Sequence, residues 1–235
     1  MTSVGDDALH ACAARLGYSF INSDLLRTAL IHRSWQAERG SESSNERLEF
    51  LGDAVLGWVV ADMAFRRLED VHEGKLTDLR ISIVNQQALA ECARELGIGE
   101  FIMLGKGEDA AGGREKASIL SDALEALIGA VYLDGGATAA YDLIQRIFSD
   151  ALERAIPTMD MFDAKSRLQE LCARQGLTIP KYVTEGEGPD HDRVFSSAVY
   201  VNGSVVGRGS GRTKKAAEQV AAVEACSTLA DSHDA

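Results

Sequence analysis

Two carboxylates, Glu49 and Asp53, lie four residues apart in a segment that is otherwise apolar. On a helix, this spacing places them on one face, one turn apart. Neither has a Lys or Arg three or four positions away, and like charges at that spacing cost a helix roughly 0.2–0.5 kcal/mol. Two solvated acids on an exposed face are the simplest interpretation. The apolar neighbours leave little room for a wide polar face, so the pair favours a divalent cation as its partner.

A second pair, Asp122 and Glu125, repeats the arrangement with a spacing of three residues inside the apolar segment 118–133. A helix this apolar is largely buried, and buried carboxylates require partners. Two such helices packed together would gather four carboxylates. Mg²⁺ takes oxygen ligands and retains several waters, which suits a hydrolytic site. A metal-free carboxylate dyad for acid–base chemistry is the alternative, but it has no use for four acids.

Two segments resemble the signature regions of the ribonuclease III family, in the expected order and separation. They are residues 45–54, NERLEFLGDA, and residues 112–129, from GGREK to SDALEALIG. The resemblance implies that the catalytic metal ion is Mg²⁺, for which Mn²⁺ can substitute. It implies four metal ligands, with Asp53 and Glu125 also acting as the catalytic residues; the ligands are Glu49, Asp53, Asp122 and Glu125.

The same resemblance gives roles to two further residues. Glu73 corresponds to an auxiliary acid of the family, and Phe50 to a side chain that inserts into a pocket of the partner subunit. The residues alone suggest simpler alternatives. Glu73 would be a first-turn acid that complements a helix dipole, and Phe50 would be part of the core.

The composition indicates a globular protein of one large or two small domains. Of the 235 residues, 46% are hydrophobic and 26% charged. No apolar stretch reaches the length of a membrane span, and the acidic N-terminus lacks the apolar core of a secretory signal. The four cysteines are isolated in sequence and predict free thiols in a reducing compartment. We therefore expect a cytoplasmic protein with no membrane partner.

The net charge of −12 argues against a nucleic-acid partner until the chain is divided. Residues 1–158 contain 15 Lys and Arg against 25 Asp and Glu, whereas residues 159–235 contain 9 against 11. Within the second part, residues 203–215 include four basic residues and no acid. Salt screens charges beyond about 8–10 Å, so this local surplus can act on a nucleic acid despite the total.

The hydrophobic pattern changes at Pro157. Before it, the apolar spacing is helical, with loops at 36–44 and 105–116 and helices at 6–16, 23–31, 45–68, 75–96, 118–133 and 138–155. After it, we predict a helix at 164–175, strands at 181–187, 194–201 and 204–211, and a helix from a Thr213 cap to about residue 229. The predicted organisation is an all-α domain at 1–156, a linker at 157–162 and an α+β domain of order α-β-β-β-α at 163–231.

The second domain resembles a double-stranded RNA-binding domain through residues 163–170, 180–182, 188–191 and 207–218. By that resemblance, Gln169, Glu170 and His191 approach the minor grooves. Lys214 and Lys215 span the major-groove phosphates, at a helix N-terminus whose dipole also favours phosphate. Arg212 is a further candidate phosphate contact. Taken singly, each of these residues could equally be a solvated surface side chain.

Taken together, the resemblances imply a ribonuclease III endonuclease domain followed by a double-stranded RNA-binding domain. The implied activity is cleavage of double-stranded RNA by Mg²⁺-assisted hydrolysis in a homodimer. Its products would have 5′-phosphate and 3′-hydroxyl ends with short 3′ overhangs, and the expected substrates are ribosomal RNA precursors and messenger RNAs. Two alternatives are a non-catalytic RNA-binding protein that keeps the first domain for dimerisation, and a helical hydrolase of small phosphate esters.

Overall fold

The chain divides into two compact units, Met1–Ile156 and Pro157–Ala235. The computed structural model describes residues 6–40, 43–158, 164–189 and 193–231. Most of the predicted linker, 157–162, lies outside these described residues, and the predicted domain bounds stay a prediction. No described helix has the length and apolar character that a membrane span requires.

The first unit is helical. Its helices are α1 (Asp6–Leu16), α2 (Ser23–Ala29), α3 (Arg33–Arg39), α4 (Glu46–Arg67), α5 (Glu73–Ile83), α6 (Gln86–Glu95), α7 (Lys106–Ala110) and α8 (Ala117–Ala155). Short 3₁₀ turns flank α7. One parallel bridge, between Ile31 and Met103, ties the segment before α3 to the segment before α7.

Helices α4 and α8 form the centre of this unit. They pack against each other more extensively than any other pair of described elements. The first half of α8 is buried almost all round, as its apolar sequence predicts, and α4 buries a stripe that includes Leu56, Val59 and Val60. Gly136 interrupts α8 with a non-helical backbone (φ 75°), so residues 117–135 and 137–155 form two helical halves, as predicted.

Three predicted elements of the first unit are wrong. The predicted loop 105–116 contains α7 (Lys106–Ala110) and a 3₁₀ turn (Gly113–Glu115). The predicted helix 75–96 is two helices, because Asn85 caps α6 by accepting the Ala88 N–H at 3.0 Å. The predicted loop 36–44 begins with the end of α3, which runs to Arg39 and stops at Gly40 in the left-handed region (φ 71°). The errors at Asn85 and Gly40 concern polar segments where capping, rather than apolar spacing, sets the helix ends.

The second unit has the predicted order of elements. Helix α9 (Ala164–Arg174) precedes β1 (Lys181–Glu187), β2 (Val194–Val201) and β3 (Ser204–Gly211), which form an antiparallel sheet of order β1-β2-β3. The three predicted strands are confirmed, and so is the cap of α10 (Lys214–Asp231), where the Ala216 N–H donates to Thr213 Oγ1 at 3.1 Å.

Small residues allow α10 to lie directly on β3. A Cβ at Gly207 or Gly209 would overlap the backbone of Ala221. The core beneath the sheet also includes Leu168, Cys172 and Val199. This packing fixes α10 and its basic N-terminus against the sheet. The predicted fold class, a helical domain followed by an α+β domain, is confirmed.

Candidate metal centre and RNA-binding face

The candidate metal centre lies where α4 and α8 cross. A Cβ at Gly52 would overlap the carbonyl oxygen of Glu125, and a Cβ at Gly129 would overlap that of Leu48. The two backbones are therefore in contact, which a larger residue at either glycine would prevent. Sequence reasoning missed this contact, although an isolated Gly in a helical pattern often signals close packing.

The crossing brings together three of the four predicted ligands. Carboxylate oxygens of Glu49, Asp122 and Glu125 lie within 4.8 Å of one another, and each of the three residues is half-buried. Asp53 lies one turn after Glu49 on α4 but is exposed and outside this group. Its charge nevertheless reaches the cluster, since it raises the pKa of both Glu125 and Glu49.

All three clustered acids have raised pKa values. Burial, followed by the charges of Asp53, Asp122 and Glu49, raises the pKa of Glu125 to about 8. Burial also raises the pKa of Glu49, with the charge of Asp122 next, and that of Asp122, against a hydrogen bond from Ser121 that lowers it. Nearby positive charge, including that of Arg33, therefore does not outweigh the effect of burial on the pKa of Glu49 and Asp122. Close carboxylate oxygens in this state fit a hard divalent cation.

Glu73 and Phe50 both lie on the surface of the first unit. Glu73 begins α5, is exposed, and accepts a hydrogen bond from the Thr77 hydroxyl at 3.1 Å. It is not among the three clustered acids. The side chain of Phe50 is 81% exposed on α4, so the alternative that it belongs to the core of this chain is wrong.

The predicted RNA contacts that the structure describes are all exposed. Gln169 and Glu170 lie on α9, Lys214 and Lys215 form the first turn of α10, and Arg212 precedes that turn. The first turn of α10 contains no acid, so the helix dipole and both lysines attract an anion. His191 lies outside the described residues.

A helical domain with a cluster of half-buried acids, followed by an α-β-β-β-α domain with a basic helix start, has the arrangement expected of a nuclease that acts on double-stranded RNA. Family models agree: "Ribonuclease-III-like" matches residues 22–151 and "Double-stranded RNA binding motif" matches residues 164–229. The chain belongs to the ribonuclease III family and is an endoribonuclease of double-stranded RNA.

Relatives named Ribonuclease 3 match most of the chain. The protein of Thermobifida fusca is 52% identical over 87% of this chain and 85% of its own. That of Syntrophobacter fumaroxidans is 44% identical over 95% and 96%, respectively. The structure of a nuclease domain of ribonuclease III from Campylobacter jejuni, described for its region of dimer formation, is 41% identical with a TM-score of 0.57. The matched region spans 63% of this chain and 99% of the Campylobacter jejuni chain.

Proposed function

We propose that this enzyme cleaves both strands of an RNA duplex by Mg²⁺-assisted hydrolysis, with Mn²⁺ able to substitute. The products would carry 5′-phosphate and 3′-hydroxyl ends with short 3′ overhangs. The main support is the convergence of three carboxylates within 4.8 Å, all with raised pKa and hence in need of positive charge. The family relationship identifies double-stranded RNA as the substrate.

In this proposal, Glu49, Asp122 and Glu125 hold the metal, and Asp53 completes the ligand set from one turn further along α4. Asp53 and Glu125 act as the catalytic residues, and Glu73 is an auxiliary acid. A divalent ion held there activates water and offsets the charge of the cleaved phosphate. The close backbone contact at Gly52 fixes the distance between α4 and α8, and this positions the ligands that the two helices carry.

A homodimer would provide the two active sites that a double cut requires. Helix α4 supports this arrangement, because it carries three large apolar side chains that the single chain leaves exposed. Their exposed fractions are 81% for Phe50, 49% for Trp58 and 70% for Phe65. At intervals of eight and seven residues they lie on one side of the helix. Burying this apolar strip, defined as Phe50, Trp58 and Phe65, against a second copy would remove it from water.

The second unit would bind the duplex by its A-form shape, over about 16 base pairs. Gln169, Glu170 and His191 would contact the minor grooves, while Lys214, Lys215 and Arg212 would contact phosphates. The exposure of the described members and the acid-free first turn of α10 support this assignment. Processing of ribosomal RNA precursors and structured messenger RNAs in the cytoplasm is the proposed cellular role.

A cleavage assay on a long RNA duplex tests the proposal. We expect cutting with Mg²⁺ and none with a chelator. Glu125→Gln should abolish cutting and leave duplex binding unchanged, because it removes a ligand far from the second unit in sequence. Asp142→Asn, which changes an exposed acid of the same helix, is the matched control. Activity that survives chelation would exclude the metal mechanism, and a fully active Glu125→Gln would exclude this ligand set.

A further inference from the structure

A polar pocket of about 340 Å³ adjoins the metal centre. Glu49 and Asp122 form one wall of it, whereas Glu125 and Asp53 do not line it. The rest of the lining is two further acids (Glu46 and Glu108), Ile119 and five residues that can donate hydrogen bonds: His32, Arg33, Asn45, Lys116 and Ser118. The pocket therefore extends the site to one side only, toward the start of α4.

Asn45 is the most unusual residue of this pocket. It is only 3% exposed, yet its side-chain amide forms no hydrogen bond with any described residue. Its backbone is helical (φ −73°, ψ −9°), so the side chain does not cap α4. The backbone itself is held firmly, since the Asn45 N–H donates to the Ile31 carbonyl at 2.8 Å. The residue lines the pocket and its amide has no described protein partner there, so the amide is available to a ligand in the pocket.

His32 presents a defined donor to the same pocket. Its Nδ1 accepts the Ser34 N–H at 3.3 Å and lies 2.8 Å from the Ser34 hydroxyl. That hydroxyl oxygen already accepts the Gly105 N–H, so its own hydrogen points to Nδ1. With Nδ1 acting as acceptor, the neutral ring carries its proton on Nε2. The His32 N–H, bonded to the Met103 carbonyl at 3.1 Å, fixes the backbone of the residue.

Arg33 supplies positive charge. It forms no ion pair with any described residue, whereas Lys116 Nζ is bonded to Glu108 at 2.5 Å. The charge of Arg33 reaches the cluster, since it acts to lower the pKa of Glu49 and of Asp122. A metal ion on those acids would leave Arg33 available to an incoming anion.

We propose that this pocket binds the ribose and phosphate of the nucleotide next to the cleaved phosphate. Arg33 and His32 Nε2–H donate to the phosphate oxygens, and the Asn45 amide pairs with the ribose 2′-hydroxyl. An amide both donates and accepts, which matches a hydroxyl, and a contact to the 2′-hydroxyl distinguishes RNA from DNA. Holding this nucleotide would orient the strand for attack. The inference rests on the proposed function.

The sharpest test couples Asn45 to a single 2′-hydroxyl. In the non-cleaving Glu125→Gln background, affinity is measured for duplexes in which one nucleotide at a time, along the cut strand, is 2′-deoxy. We expect one position near the cut to weaken binding by roughly 3- to 10-fold, and Asn45→Ala to remove that effect. Asn45→Leu, of similar size but with neither donor nor acceptor, repeats the test if alanine disturbs packing. An equal 2′-deoxy effect with and without the Asn45 amide would overturn the proposal.

His32 is tested separately in the active enzyme. His32→Asn keeps an acceptor for the Ser34 N–H, because Asn is a favoured helix cap, but it removes the Nε2–H donor. We expect kcat to fall by roughly 3- to 10-fold with an unchanged midpoint of urea unfolding. Unchanged kcat would contradict the role of His32. If the wild-type enzyme does not cut duplex RNA, the proposed function is wrong. The Asn45 test measures binding alone, so its result still decides the proposal for the pocket.

Discussion

Gly52 of α4 lies against the carbonyl oxygen of Glu125 in α8, with no space for a side chain between them. We predict that Gly52→Ala forces the helices apart and separates the clustered acids. Overpacking of this kind typically costs about 1–3 kcal/mol. The expected results are a lower free energy of unfolding in urea and weaker binding of Mn²⁺ in a direct titration.

Gly57 provides the matched control on the same helix. A Cβ at this position would approach only the end of the Arg80 side chain, at 4.0 Å. Gly57→Ala should therefore stabilise the protein by about 0.5–1 kcal/mol through helix propensity. If Gly52→Ala behaved in the same way, close contact of the backbones would not be what positions the acids.

The second prediction concerns the apolar strip of α4. Phe50→Glu should convert the proposed dimer into monomers, since it places a charge within a buried apolar contact. The side chain is already 81% exposed in the single chain, so the fold of the monomer should persist. Light scattering after size-exclusion chromatography measures the mass. Ile21→Glu changes an equally exposed side chain (88%) outside α4, and its product should remain a dimer.

The third prediction concerns the basic start of α10. Lys214→Ala and Lys215→Ala should each weaken duplex binding across sequences and reduce the salt slope of the affinity by about 1. The measurement is the binding constant over a series of salt concentrations. Lys181→Ala removes an exposed lysine of β1 that has no predicted RNA contact, and it should leave the slope unchanged. Equal slopes for all three variants would argue against a specific phosphate contact.

The fourth prediction is a pH dependence of stability that comes from Asp134. Burial acts to raise its pKa, but hydrogen bonds from the Ile21 N–H (2.9 Å), the Asn22 N–H (2.8 Å) and the Tyr18 hydroxyl (2.8 Å) outweigh it, and the pKa is lowered. A lowered folded-state pKa stabilises the fold above the unfolded value of about 3.9, and this contribution is lost as pH falls through the folded value.

Asp134→Asn should therefore destabilise the protein near neutral pH, by on the order of 1 kcal/mol because solvent screens this site. The difference from the wild type should shrink as pH falls below the ordinary aspartate pKa. Urea unfolding of both proteins across that range measures it. A difference independent of pH would show that the charge of Asp134 contributes nothing.

The predictable parts of this structure follow from regular patterns. The three strands could be predicted because apolar and polar residues alternate along them and because Asn202-Gly203 marks the turn between the last two. Both turn residues have positive φ, 51° and 80°. The pairing of α4 with α8 was expected because both helices carry acids in apolar surroundings. Charge and spacing along a helix are properties of single segments, which a sequence displays directly.

The remaining parts depend on contacts between distant segments. Asn85 divides a continuous apolar pattern through one side-chain cap, and Gly52 is informative only once Glu125 is known to lie beside it. Asn45 stands at the expected start of α4, where an amide usually caps the helix. Only its helical backbone angles show that the amide does not cap and faces the pocket without a partner.

The crossing of α4 and α8 also has a consequence for biosynthesis. Glu49 leaves the ribosome well before Glu125, and α4 cannot bury its apolar stripe until the first half of α8 has been made. A nascent chain ending within this interval exposes that stripe and has an incomplete acid cluster, so it depends on protection from aggregation. The segments that carry the carboxylates are synthesised before the second unit, which begins at Pro157. The order of synthesis therefore places the acid-bearing segments ahead of the RNA-binding domain.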